Sequence, residues 1–194
     1  MKLLICIITF FANNSLDNNL TTQKVNTYLK NKHVKTEEIL FISIDDQRLY
    51  HIKSNKVLSS YSISSSKYGI GSESGSNKTP LGLHKIKEKY GDNTPINGRM
   101  IGRVFYGEIS TIYRDKTKSK TDDITSRILW LEGLEKVKNK GQGIDSYSRY
   151  IYIHGTSEEG SLGSPASHGC IRMRNKDIID LYKTTKVGTL VLIL

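Results

Sequence analysis

Cysteine is nearly missing from this chain of 194 residues: there are two, Cys6 and Cys170. A chain of this length can bury a hydrophobic core without disulfides or metal staples, so the scarcity itself poses no folding problem. No apolar run is long enough to cross a bilayer comfortably; the longest, within MKLLICIITFFA at the N-terminus, holds about ten apolar residues. The net charge is +10, yet no helix carries a basic stripe, and neither a zinc-finger spacing nor an aromatic RNA-binding signature accompanies it. The lysines are scattered from residue 24 to residue 186, loosely concentrated in YRDKTKSK (113–120), as on a solvated surface. No nucleic-acid partner is therefore expected. An anionic cell envelope remains a candidate partner for the charge. GIGSESGS (69–76) lacks the Lys-Ser/Thr ending of a phosphate loop and reads as a turn. There is no internal repeat, and no low-complexity block beyond the serines near residue 64.

What is present falls into three expected segments: residues 1–15, 16–38 and 39–194. The first has one lysine, an apolar stretch and then an Asn-rich tail, the layout of a secretory signal peptide. Export is the expectation, against the alternative of a buried N-terminal strand. If the leader is removed, Cys170 is the only thiol left. Residues 16–38 read as a helical or linker segment, with Val25, Tyr28 and Leu29 at weakly amphipathic spacing. From residue 39 the pattern turns to short β-branched and aromatic runs: ILFISI (39–44), RLYHIK (48–53), KVLSSYSI (56–63), LGLHKIK (81–87), RILWLEG (127–133), RYIYIHG (149–155) and GTLVLIL (188–194). The fold class expected is mainly β, a sandwich or barrel. Residues 88–126 are polar and turn-rich and read as a lid over one face. Asn175 is placed to cap a helix over KDIIDLYKTT.

The chemistry concentrates in two neighbouring stretches, RYIYIHG and SPASHGCIRMRN (164–175). Alternation along a strand puts Tyr150, Tyr152 and His154 on one face. Cys170 follows His168 and Gly169. A cysteine is nucleophilic only as the thiolate, and a histidine within hydrogen-bond reach can take its proton; His154 and His168 are both candidates. Gly169 clears space beside the sulfur, and its N–H with that of Cys170 could face an oxyanion. Arg172 offers a two-pronged donor for a substrate carboxylate. Two plainer readings compete: an inert packing cysteine, and a zinc site of His154, His168 and Cys170, which has no fourth soft ligand at a recognisable spacing. His33, His51 and His84 have no chemical neighbours and read as surface residues.

IHGTSEEGSLGSPASHGCIRM (153–173) resembles the L,D-transpeptidase catalytic domain, the YkuD-like family of bacterial cell-wall enzymes, and KTPLG (78–82) resembles a segment expected earlier in such domains. The resemblance implies a YkuD-like β-sandwich or barrel, with a C-terminal capping helix and a lid-like insertion, over residues 39–194. It implies a transpeptidase acting on peptidoglycan stem peptides through a thioester, with no cofactor and no metal. Cys170 would be the nucleophile and His154 the base, oriented by the Gly155 carbonyl. His168 and Gly169 would shape the site, with Arg172, Ser167 and Tyr152 as substrate-binding candidates. A second stem peptide or a lipoprotein would accept the acyl group. Water as acceptor would make a carboxypeptidase, and a non-catalytic wall-binding module is the alternative from another class.

Overall fold

The computed structural model describes residues 18–194. The expected leader and Cys6 lie outside the described residues. Residues 18–31 form helix α1. Ten strands follow: β1 (Glu38–Ser43), β2 (Arg48–Lys53), β3 (Lys56–Ser64), β4 (Gly82–Tyr90), β5 (Gly98–Ile101), β6 (Val104–Ile109), β7 (Ile124–Gly133), β8 (Tyr152–Thr156), β9 (Ile171–Met173) and β10 (Leu190–Ile193). A 3₁₀ turn spans Glu159–Ser161, and helix α2 spans Asn175–Thr184 between β9 and β10. The architecture is mainly β.

Strand pairing runs β4-β10-β1-β2-β3-β9-β8-β7, and β7 pairs back onto β4, closing a circuit of eight strands. Only β1–β10 and β8–β9 are parallel. Closure pairs these eight strands with one another on both sides, so the free edge of the sheet is left to β6 beyond β7. The core inside holds Leu40, Ile42, Leu129, Ile153, Ile171 and Val191, with Ile178, Leu181 and Tyr182 of α2 packed into it. β1 is apolar on both faces because both are covered. Its alternate residues Ile39 and Phe41 pack with Val25 and Leu29 of α1, as the two-residue side-chain period requires.

Helix α1 is thus part of the packed body rather than a linker. A polar tie reinforces it: Glu135 accepts hydrogen bonds from the Tyr28 hydroxyl (2.6 Å) and the Leu83 N–H (2.6 Å), and pairs with Lys32 (2.5 Å).

Several local expectations need correction. Strand β8 begins at Tyr152 rather than 149, because Tyr150 sits in a turn with φ of +56°. Tyr150 and Tyr152 therefore do not share one strand face. Segment 88–126 is not one turn-rich insertion: β5 and β6 form a hairpin that extends the sheet beyond β7, leaving residues 110–123 as the irregular loop. Asn175 does not cap α2. It is the first helical residue, and its side chain accepts from the Thr125 and Ser126 hydroxyls (both 2.6 Å) while donating to Thr156 O (2.8 Å). Glu159 receives the Asn175 N–H instead (2.9 Å), a carboxylate at a helix N-terminus where the dipole favours it. His51 and His84 are buried rather than exposed; His51 pairs with Glu38 at 2.8 Å, and His84 is wedged between Gly82 O and the Ser146 hydroxyl.

Candidate active site

Cys170 ends the loop between the 3₁₀ turn and β9, one residue before the strand begins. The bend that turns its sulfur toward β8 occurs at Gly169, whose φ of +122° lies where a side chain is strained. Three contacts hold the bend. The Ser167 hydroxyl donates to Cys170 O (2.5 Å) and accepts the Gly169 N–H (3.2 Å). Thr79, fully buried in the KTPLG segment, donates to Gly169 O (3.0 Å). Serines 64–66 brace the loop from beneath: Ser65 O accepts the N–H groups of both Ala166 and Ser167 (2.9 Å each).

The half-buried sulfur is itself gripped. It accepts the Tyr152 N–H at 3.3 Å and donates to Tyr150 O at 3.3 Å. Desolvation pushes the thiol up to about 11, against the opposing pull of the Tyr152 N–H. The resting residue is a thiol.

His154, on β8, is buried and pairs with Arg172, two residues after Cys170, in the parallel register with β9. Its Nδ1 lies 2.7 Å from Gly155 O. A carbonyl only accepts, so Nδ1 carries the proton and Nε2 keeps its lone pair. Burial pushes the imidazolium down to about 4, although the Gly155 carbonyl works the other way. The ring is a neutral acceptor at neutral pH. Among the described residues no hydrogen bond joins it to the Cys170 sulfur; in unliganded enzymes such contacts are often long and tighten with substrate.

His168 does not turn toward the sulfur. It is exposed, and its Nδ1 donates to Asp122 Oδ2 at 2.6 Å. The oxyanion expectation changes as well: Gly169 N–H is committed to Ser167, whereas no hydrogen bond among the described residues engages the Cys170 N–H. That leaves the Cys170 N–H as the available donor of the two.

All three substrate-binding candidates are buried and engaged within the protein. Arg172 is 2% exposed, with one terminal nitrogen on Glu158 (2.9 Å) and the other on Asp122. Both terminal nitrogens already hold carboxylates, while the buried Nε has no hydrogen-bond partner among the described residues. Ser167 is buried and spent as a brace. Tyr152 is buried, and its hydroxyl accepts from Arg103 at 3.2 Å.

Two features had no signature in the sequence. An aromatic wall stands beside Cys170, where Trp130 stacks on Tyr147 (4.1 Å between centroids) and Tyr150 (5.4 Å) and meets Tyr152 edge-on. Arg103, from the β5–β6 turn, lies 4.6 Å over the Trp130 ring. The other is the pair of carboxylates on Arg172. Asp122 and Glu158 stand in polar stretches whose spacing resembles that of any charged loop. Among the described residues, no cluster of His, Cys, Asp or Glu is arranged to hold a metal ion.

Comparison with known proteins gives one answer. The L,D-transpeptidase catalytic domain family (YkuD) matches residues 37–193. Over 45 residues the chain is 54% identical to YqjB of Bacillus subtilis (strain 168), covering 23% of this chain and 26% of that protein. Over 65 residues it is 37% identical to YkuD of the same organism, covering 31% and 40%. Both relatives bear the name L,D-transpeptidase, and the matched stretches span less than half of either. Among solved structures, an L,D-transpeptidase from Xylanimonas cellulosilytica superposes with a TM-score of 0.51 at 19% identity, over 82% of this chain and 61% of that one. One from Mycobacterium tuberculosis does so with a TM-score of 0.51 at 14% identity, over 81% and 57%. At such identities the structural likeness is one of fold.

Proposed function

The chain belongs to the L,D-transpeptidase catalytic domain family, and from that premise we propose that it is a cysteine-dependent L,D-transpeptidase acting on peptidoglycan stem peptides. The observation that carries the reading is the arrangement around one sulfur: Cys170 held against Tyr152 N–H, with a neutral histidine on the adjoining strand whose tautomer leaves Nε2 free.

The reaction starts from a thiol and an imidazole. As Sγ attacks the carbonyl carbon of the stem peptide, its proton passes to His154 Nε2, and the S–C bond forms with negative charge on the carbonyl oxygen. The Cys170 N–H is the backbone donor on hand for that oxygen. Collapse breaks the C–N bond, and the imidazolium returns its proton to the leaving amine. The thioester then meets an acceptor amine, from a second stem peptide or from a protein destined for the wall. The new C–N bond forms, the C–S bond breaks, and sulfur recovers its proton. Gly155 O holds the histidine in one tautomer throughout, so each proton transfer uses the same nitrogen.

Residues 1–15 are proposed as an export leader, residues 16–38 as a helical segment and residues 39–194 as the catalytic domain working in the periplasm or cell wall. A lone thiol in an oxidising compartment has no internal disulfide partner, which suits a residue kept for reactivity. The +10 charge suits an anionic envelope.

Intact-protein mass spectrometry after treatment with a carbapenem, an acylating mimic of the donor peptide, tests the proposal. One adduct is expected on the natural protein and none on Cys170→Ala. Equal labelling of both, or labelling of neither, defeats it.

A further inference from the structure

His168 and Arg172 flank Cys170 at two residues before and two after, and one carboxylate holds both. Asp122 accepts from His168 Nδ1 through one oxygen and from Arg172 Nη2 through the other. It is carried by the 110–123 loop, which is anchored separately on the 3₁₀ turn. Tyr113 N–H donates to Ser157 O (2.8 Å), Gly160 N–H to Tyr113 O (2.9 Å), and Ser119 N–H to Glu158 Oε1 (2.8 Å). Glu158, itself buried, holds the other end of Arg172 (2.9 Å). The loop is thus fastened at its base and reaches the cysteine through Asp122.

This grip differs from a surface ion pair. Arg172 is buried, and a buried guanidinium stripped of a counter-charge is costly. Asp122 also adopts a φ of +48°, a left-handed conformation uncommon away from glycine and kept only where surrounding contacts enforce it. Burial would push its carboxyl up, but the Arg172 charge and the His168 hydrogen bond outweigh this and hold it below the usual range.

We infer that Asp122 is a positioning residue for Cys170, the carboxylate by which the 110–123 loop fixes the bend that presents the sulfur for attack. The inference rests on the acyl-transfer reading and adds a residue which that reading does not use. Asp122 is also felt electrostatically at the sulfur. After desolvation and the opposing Tyr152 N–H, its negative charge raises the thiol, while Arg172 of β9 and Arg149 of the turn before β8 lower it. The Tyr152 phenol on β8 also feels the Cys170 charge, and His154 of β8 and His168 of the thiol's own loop stand on the neighbouring segments.

Three measurements on the full chain test this: the rate of acylation by imipenem, the pH midpoint of Cys170 alkylation by iodoacetamide, and the thermal midpoint by circular dichroism. Asp122→Asn is expected to slow acylation by about tenfold to a hundredfold, the scale of a small misplacement at a reacting centre, and to move the alkylation midpoint down because a negative charge is gone. Asp122→Glu keeps the charge but shifts it, so the midpoint should stay and the rate should fall between the two. A folded Asp122→Asn protein that acylates at the natural rate overturns the inference. So does one that slows with its alkylation midpoint unmoved, since that is loosening alone. If Asp122→Asn does not fold, Asp122→Glu decides: acylation at the natural rate overturns the inference, and a several-fold loss at an unchanged midpoint supports it. Failure of the natural protein to label at all removes the acyl-transfer reading instead, a result seen before any Asp122 variant is compared.

Discussion

With the thiol pushed up to about 11 and the imidazolium down to about 4, neither Cys170 nor His154 is charged at neutral pH. The pair rests as thiol and imidazole, so in the proposed reaction the proton would move as the S–C bond forms rather than beforehand. That makes the histidine's lone pair more consequential than its charge. His154→Ala is expected to slow carbapenem acylation by roughly a hundredfold or more, as for the loss of a positioned general base, measured by adduct formation over time. An unchanged rate would move the base role to His168, which in this structure is turned toward Asp122. Cys170 and His154 could be singled out from local sequence, one as a lone thiol after Ser-His-Gly and the other at a strand end. The internal partners of Arg172, Ser167 and Tyr152 were not legible, because a polar side chain looks the same on paper whether it faces a ligand or a group of its own protein: two carboxylates for Arg172, the Cys170 carbonyl for Ser167 and Arg103 for Tyr152.

At the scale of elements, the site depends on how the 110–123 loop seats on the 3₁₀ turn. A Cβ added at Gly160 would run into the backbone of Arg114 and Asp115, so no side chain fits where the loop crosses the 3₁₀ turn. Gly160→Ala should therefore lift the loop and reduce acylation while leaving the distant α1 contacts intact. Retained activity together with a native-like thermal midpoint would count against the loop's role. Helix α1 makes a separate case. Leu29 is buried against the sheet, and Leu29→Ala is expected to cost about 2–4 kcal/mol, read by urea denaturation. A cost near zero would mean that the helix is an accessory after all. The strands were legible in outline from their two-residue alternation, and the antiparallel β1–β2–β3 unit from its turn residues. The β5–β6 hairpin was not, because Gly and charged residues dilute its pattern to that of a loop. Asn175 was misassigned because a capping residue and a buried cross-linking residue share one chemistry.

The whole molecule answers to pH through two of its buried histidines, His84 and His154. Burial pushes both His84 and His154 down to about 4, below the ordinary value near 6.5. The unfolded chain therefore takes up these protons first. Stability is fully present above about pH 6.5 and is lost progressively as pH falls toward 4, on the order of 2–3 kcal/mol for each histidine. Urea denaturation across that range checks the slope, and a flat profile contradicts it. A second acid loss follows between about 4.5 and 2, because Glu132 and Glu135 are held down to about 2: burial raises each, but lysine hydrogen bonds outweigh it. Read along the chain, the residues were sufficient for the class of fold, the family resemblance and the two groups proposed to exchange a proton, since each is written in periodicity or in a short run of neighbours. The closed circuit of strands, the burial of Arg172 and the reach of Asp122 to both sides of Cys170 come from folding. They join residues about fifty positions apart, as Asp122 and Arg172 are, and no local pattern records which distant charge will be buried against which.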